Sequence, residues 1–355
     1  MATVAVIGSG TLIGRAVLSC LQRDAAVDVI LAVDLVEPEV PVGKLEFRAA
    51  DVHKRLLPEA LDGADVVVHC GLEALIDCDE TGTVSRVLNG SRGLLDAVAK
   101  VGARTLIVVS SAVVYGAHPD NRLPLDEHAP LRAGREFAGA YCLRMIEQLV
   151  EEWADGHPAV TVTVLRPAVM LGPGANGFMC RHLESVRLPL VGGQSAPLQL
   201  VHADDVAAAV RLAMSGDLPG AFNVAAQGWL SMAEVPALLG RRSVTVPEAT
   251  AFGVVRWLHR RGLSHLPPGA LPYLMYPWVV SAERLQAAGW APAWSNRELL
   301  REFARERHDL LRLGRVRIRR QDLHASLLVL AGTLLAVPVA RLIGRVDGRR
   351  LSQDS

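Results

Sequence analysis

The sequence predicts an α/β fold: a doubly wound parallel sheet covered by helices on both faces, with a smaller, mostly helical lobe after it. Three observations carry this expectation. Short β-branched apolar runs alternate with amphipathic helical stretches over the first half of the chain. A glycine-rich loop follows the first run directly. Beyond Arg166-Pro167 the alternation gives way to irregular chain rich in Gly and Pro.

In order, residues 3–7 (Thr-Val-Ala-Val-Ile) form the apolar run that a strand buried on both faces needs. Residues 15–23 read as a helix with apolar positions at Ala16, Val17, Leu18 and Leu21. A second buried strand spans 29–33 and closes at Asp34, and further runs recur at 66–70, 106–109 and 160–165. Helical stretches at 84–101 and 141–154 separate them. Parallel neighbours cannot be joined by a tight turn, so this alternation specifies a parallel sheet with helical crossovers. Later, 201–214 reads as a helix and 221–225 as a short strand.

The chain has 355 residues, half of them apolar and 21% charged, which suits a globular protein with a sizeable core and neither a disordered nor a fibrous one. Zero formal net charge argues against nucleic-acid binding driven by positive charge. Five cysteines (Cys20, Cys70, Cys78, Cys142, Cys180) are scattered, odd in number and without a CxxC pair. That spacing favours neither a disulfide framework nor a metal site, and it fits a reducing cytoplasm. No basic, apolar leader precedes the first strand, so no signal peptide is expected.

The loop Gly8-Ser9-Gly10-Thr11-Leu12-Ile13-Gly14 lies between the first strand and the first helix, the context a dinucleotide fingerprint requires. Gly8 permits a tight turn, Gly10 lets the backbone approach a pyrophosphate, and Gly14 allows close helix–strand packing. The pyrophosphate would rest on the positive end of the helix. Asp34 stands where a carboxylate accepts the adenosine ribose hydroxyls and repels a 2′-phosphate, which favours NAD over NADP. An ordinary strand-to-helix turn is the alternative for the loop taken alone.

These landmarks, with others downstream, make the chain resemble the extended short-chain dehydrogenase/reductase family. Gly8 and Gly14 fall in register with that family's G-x-x-G-x-x-G loop, while Thr11 replaces its middle glycine. Asp51-Val52 resembles the family's acidic pair against the adenine, and the run ending Cys70-Gly71 resembles the strand beside the cofactor. Asn89 matches a helix asparagine, and the run through Ser110-Ser111 to Tyr115-Gly116 is similar to the family's serine strand. Arg166-Pro167 resembles the loop near the nicotinamide, and His202, Asp204-Asp205 and Phe222-Asn223-Val224 match later landmarks. The resemblance spans roughly residues 3 to 305. It implies a Rossmann-type domain over 1–168, completed by about 196–226, and a substrate lobe from 169–195 and 227–310. It also implies NAD as cofactor, no metal, and a small-molecule substrate such as a nucleotide sugar or a lipid-like alcohol.

In that family a serine orients the substrate oxygen, and a tyrosine acts as base beside a lysine four residues later. The lysine's charge makes the phenolate accessible. Ser111 stands at the serine position. Two alignments remain open for the base. Tyr141 is one candidate, but Met145 stands four residues on, and Arg144 is the nearby cation. If Glu147 is instead the family's glutamate eight residues after the tyrosine, the tyrosine position falls on Gly139 and the lysine position on Leu143. Two functions follow: an NAD-dependent epimerase, dehydratase or dehydrogenase using Ser111 and Tyr141, or a non-catalytic dinucleotide-binding member with a structural, sensing or membrane-complex role.

The tail, 311–355, stands apart. Arginines crowd 312–320, residues 323–340 carry no formal charge, and arginines return at 341–350. That uncharged stretch sits at the lower limit for crossing a bilayer. Arginines at both ends suit a helix lying on an anionic membrane surface, which would make the protein cytoplasmic and peripheral on the inner face of a membrane. Packing on the chain's own lobe, or a homodimer contact, is the alternative.

Overall fold

A computed structural model of the chain describes residues 2–39, 43–51, 57–77, 82–192, 196–215, 218–264, 266–313 and 316–319. The first half alternates as β1 (Ala2–Ile7), α1 (Leu12–Gln22), β2 (Val27–Asp34), β3 (Leu45–Ala49), α2 (Leu57–Ala60) and β4 (Val66–His69). A 3₁₀ segment, Gly71–Asp77, leaves β4 and leads toward α3 (Gly82–Val101), β5 (Thr105–Val109), α4 (Ala138–Gly156) and β6 (Thr161–Pro167). Later come β7 (Val169–Leu171), α5 (Phe178–Leu183), β8 (Arg187–Gly192), β9 (Leu200–His202), α6 (Ala203–Ala213) and β10 (Gly220–Val224). The remainder comprises α7 (Val235–Leu238), β11 (Arg242–Pro247), α8 (Glu248–Arg260), α9 (Pro272–Met275), α10 (Glu283–Ala287), α11 (Asn296–Glu306) and the hairpin β12 (Leu310–Leu313) and β13 (Val316–Arg319).

Seven strands form one sheet in the order β3-β2-β1-β4-β5-β6-β10, and every pairing in it is parallel. The doubly wound expectation therefore holds. Val4 to Ile7, Val66 to Val68 and all of β5 are buried, because helices cover both faces. β1 lies between β2 and β4, so the chain reverses its winding there. In open α/β sheets a ligand crevice opens at the carboxyl ends of strands at such a reversal.

Three details depart from the sequence reading. β3 is an additional edge strand with no fully buried side chain, Glu46 being exposed and Arg48 only partly buried, so it lacks the apolar run that marked its neighbours. The stretch read as a helix from 201 begins as strand β9, and α6 starts at Ala203. Its cap is His202, whose Nδ1 accepts the Asp204 N–H at 3.1 Å, while Asp204 and Asp205 fall in the first turn. The late lobe also holds a two-stranded parallel sheet of β8 and β11, so it is less purely helical than expected.

A buried polar knot ties α4 to the sheet. Arg166 donates from Nε to Glu147 Oε2 at 2.9 Å and from Nη1 to the Tyr115 hydroxyl at 2.8 Å. Tyr115 in turn donates to Asn223 Oδ1 at 2.8 Å, joining the turn after β5 to β10. Glu147 and Arg166 are both buried, so removing one leaves the other charge stranded away from water. Glu147→Ala is expected to cost about 3–5 kcal/mol of unfolding free energy. Chemical denaturation would measure this, and a loss below about 1 kcal/mol, the worth of a surface ion pair, would contradict the buried pairing.

Candidate functional site

The crevice begins with close approach of backbone. Gly8 directly follows β1 with φ +75°, and a Cβ there would lie 2.5 Å from the Gly71 Cα just past β4. A Cβ on Gly14 would lie 2.2 Å from the Gly8 carbonyl oxygen, so α1 can press on the loop only without one. Thr11 caps α1: its Oγ1 accepts the Gly14 N–H at 3.0 Å and donates to the Gly8 carbonyl at 2.8 Å. The middle residue of the loop thus spends its side chain on holding the turn.

Asp34 ends β2 beside this loop. Its Oδ2 accepts the Gly10 N–H at 2.8 Å and its Oδ1 accepts the Leu35 N–H at 2.7 Å, which fixes the carboxylate at the edge of the crevice. A cleft of about 240 Å³ opens there, lined by Gly8, Thr11, Asp34, Asp51, Gly71 and Leu72 among others. Of the other residues expected to hold a cofactor, Ser9, Ile13 and Cys70 are buried without lining this cleft. Asn89 faces solvent and accepts from Arg92, while its neighbours Gly90 and Ser91 line the cleft. Val52 lies outside the described residues. Arg166 turns to Glu147 and Tyr115, and Pro167 offers its carbonyl to the Ser111 hydroxyl at 3.5 Å.

A second cleft lies beside the first. Thr11 lines both, and Leu12, Arg15, Glu73, Ser111, Ala168 and Phe178 are among the residues lining the second. Ser111 is buried at the end of β5, where its Oγ also accepts the Val113 N–H at 3.4 Å. One carboxylate oxygen of Glu73 is shut off from solvent. Glu73 went unnoticed in the sequence because the 3₁₀ segment that carries it has no periodic signature and follows a landmark of small residues.

Tyr141 lines neither cleft. Its half-buried ring lies against two guanidinium groups, Arg135 at 5.4 Å and Arg144 at 5.1 Å from its centroid. The inward face of α4 is instead set by Gly139, Leu143 and Glu147, all buried. A Cβ on Gly139 would come 2.2 Å from the Leu75 carbonyl oxygen, so the 3₁₀ segment packs into the space a side chain would take. At 100° per residue, Tyr141 points roughly opposite to Gly139. Tyr115 is no substitute base, since burial pushes its phenol up to about 12 despite the opposing charge of Arg166.

Among the described residues no helix is long and apolar enough to cross a membrane. The tail stretch read as suiting a membrane surface, 323–340, lies outside them.

The resident cofactor can be tested against these features. A dinucleotide needs bare backbone over the pyrophosphate, a helix N-terminus, a ribose-binding carboxylate and adjoining space for its second nucleotide half. Gly8, Gly10, the start of α1, Asp34 and the two clefts meeting at Thr11 meet each requirement.

Comparison with known proteins agrees. The model of the NAD dependent epimerase/dehydratase family matches residues 4–225. This bears out the resemblance to extended short-chain dehydrogenases and, with it, NAD as the cofactor. An uncharacterized protein of Mycobacterium tuberculosis is 27% identical over 319 residues, covering 86% of this chain and 84% of its own length. The N-acetyl-alpha-D-glucosaminyl-diphospho-ditrans,octacis-undecaprenol 4-epimerase of Escherichia coli O157:H7 is 28% identical over 135 residues, 38% of this chain and 39% of its own. Among solved structures, dTDP-glucose 4,6-dehydratase of Bacillus anthracis in complex with NAD superposes with a TM-score of 0.66 at 17% identity, over 87% of this chain and 97% of its own. UDP-glucose 4-epimerase of Thermus thermophilus, complexed with NAD, gives 0.63 at 20% identity, over 85% of this chain and 98% of its own. These superpositions show a shared fold.

The packing at Gly139 can be checked by mutation. Gly139→Ala is expected to destabilise the protein by about 1–3 kcal/mol, the usual cost of overpacking. Thermal unfolding indistinguishable from wild type would mean that the 3₁₀ segment does not press on α4.

Proposed function

We propose that this chain, which belongs to the NAD dependent epimerase/dehydratase family, is an oxidoreductase-type enzyme in which Ser111 and Glu73 do the work of the family's serine and tyrosine. One observation carries the reading: Ser111 and Glu73 line the same cleft as the loop residue Thr11, whereas Tyr141 does not. Gly8, Gly10 and Gly14 would hold NAD, which would supply hydride-transfer chemistry at a carbinol carbon. The remaining steps belong to side chains. Asp34 takes the ribose hydroxyls. Asp51 lies on the same cleft, toward the adenine. Ser111 Oγ donates to the substrate oxygen, which Glu73 deprotonates on oxidation and reprotonates on return. A carboxylate partly withdrawn from water can act as such a base when it is held within reach of the hydroxyl. Arg15, on the same cleft, offers a cation to a substrate or cofactor phosphate.

The substrate carries a secondary hydroxyl, on a nucleotide sugar or a lipid-like molecule. The family description and the sugar epimerases among the similar proteins support the first class; the apolar side of the lobe supports the second. A second reading is a dinucleotide-binding protein without turnover. It is favoured by Gly139 and Leu143 standing where the family's tyrosine and lysine are expected.

Turnover of NAD with secondary alcohols and nucleotide sugars separates the two. Ser111→Ala and Glu73→Gln are each expected to lower kcat by about 10²–10⁴-fold with NAD affinity retained, whereas Tyr141→Phe stays within about twofold of wild type. Loss of turnover in Tyr141→Phe, with Glu73→Gln fully active, would reverse the assignment. Asp34→Ala is expected to weaken NAD binding by about 10–100-fold, the worth of hydrogen bonds to a charged group, and calorimetry would read it directly.

A further inference from the structure

α8 is apolar on more than one side. Ala251, Val255 and Leu258 turn toward an apolar hollow that the helix closes against α5, β8 and β11. Its outer side carries Phe252 and Trp257, 44% and 54% exposed, and Val244, Val254 and Leu263 are exposed close by in the chain. Half of the large apolar side chains exposed among the described residues therefore fall within 244–263. Apolar side chains scattered singly over a surface need no explanation, whereas such a concentration marks an interaction surface.

The charge on this side is of one sign. Between Glu234 and Glu283 the sequence holds five arginines, Arg241, Arg242, Arg256, Arg260 and Arg261, and a single carboxylate, Glu248, in a chain of zero net charge. Arg256 and Arg260 follow Phe252 at four-residue steps, so the three form one row along α8. Arg261 lies over the Trp257 ring, 5.6 Å from its centroid. In the neighbouring sheet Arg242 of β11 is the register partner of Arg187 of β8, which sets two like charges side by side. Arg187, Arg242, Arg256, Arg260 and Arg261 are all exposed, and none of them pairs with a carboxylate among the described residues. Arg241 donates to the Leu310 carbonyl at 3.0 Å, which brings the start of the hairpin β12–β13, itself rich in arginine, up to the start of β11.

We propose that the outer side of α8 docks the protein on an anionic lipid bilayer, with Phe252 and Trp257 entering the headgroup boundary and the arginines meeting lipid phosphates. Aromatic side chains favour that boundary, and each arginine near an anionic surface adds attraction. The uncompensated charge discriminates among occupants. A second copy in a two-fold pair would bring the patch against itself, arginine against arginine. The chain's own uncharged stretch, 323–340, is bounded by arginines at both ends and would bring further positive charge to a positive face. A bilayer offers apolar depth and negative charge together. Beyond Arg319 the sequence adds that uncharged stretch and more arginines, a second element of the same chemistry, and stable peripheral anchoring takes two. None of these residues takes part in the catalysis proposed above, so the docking face stands or falls independently of it.

Cosedimentation of the full chain with vesicles of equal parts phosphatidylcholine and phosphatidylglycerol tests the assignment. Wild type is expected to bind them, and to bind pure phosphatidylcholine vesicles about tenfold or more weakly. Arg256→Glu combined with Arg260→Glu should weaken binding by about 25-fold or more, and Trp257→Ala by about tenfold, with thermal unfolding little changed because these side chains face solvent. Should the glutamate pair not fold, Arg256→Gln with Arg260→Gln removes the same charges from the same helix. Acyl chains labelled with bromine should quench the fluorescence of wild type, and Trp257→Phe should lose most of that quenching. Arginine variants that bind as tightly as wild type, as they would if the tail alone held the bilayer, overturn the inference. A wild-type chain that ignores anionic vesicles also overturns it, as does self-association that the arginine variants abolish while no vesicle binding occurs.

Discussion

The site depends on how closely three stretches of backbone approach one another. Gly8 lies against Gly71, and Gly14 lies against the Gly8 carbonyl, so the ends of β1 and β4 and the start of α1 converge with no side chain between them. A residue with a Cβ at Gly8 or Gly14 would have to push these elements apart. The crevice exists because the sheet reverses its winding at β1, and the positive end of the α1 dipole faces it. Asp34 completes it by tying the loop's Gly10 N–H to the end of β2.

The same economy of space, applied to α4, changes the chemistry. Gly139 leaves room for the 3₁₀ segment after β4, and the segment takes that room, bringing Leu75 and Ile76 against the helix and Glu73 to the cleft. Leu143, one turn on, is buried. Glu147, one further turn on, holds Arg166 in the knot that also contains Tyr115 and Asn223. The helix therefore keeps a structural anchor at its middle, while its first turns present glycine and leucine inward. In the alignment that takes Glu147 as the family's glutamate, a Tyr-Lys dyad would use those two positions. An acid–base group supplied by the neighbouring segment is a physically coherent replacement, because proton transfer requires reach and a suitable environment and not a particular parent element.

Much of the sheet was legible in the sequence because buried parallel strands leave continuous apolar runs, as at 3–7 and 66–70. β3 was not, since an edge strand carrying Glu46 and Arg48 has no such run. The glycine loop and Asp34 were legible because their chemistry is local: a turn, a helix start and a strand end read in one pass. Glu73 was not, because its meaning comes from what packs behind it, a glycine more than sixty residues later. The choice between Gly139 and Tyr141 turned on which face of α4 points inward, and a helix with apolar residues at 138, 140, 142, 143 and 146 does not settle that from sequence alone. The apolar hollow walled by α5, β8, β11 and α8 was hidden for a similar reason, because the residues lining it are distant in sequence and meet only once folded.

A crystal structure of the chain grown with NAD examines these relations most directly. The expected electron density runs from Asp34, across Gly8 and Gly10, into the cleft of Thr11, with the nicotinamide ring facing Ser111 and Glu73. Density that leaves the Gly8–Gly71 crevice empty, or that brings the nicotinamide to Tyr141, would contradict it.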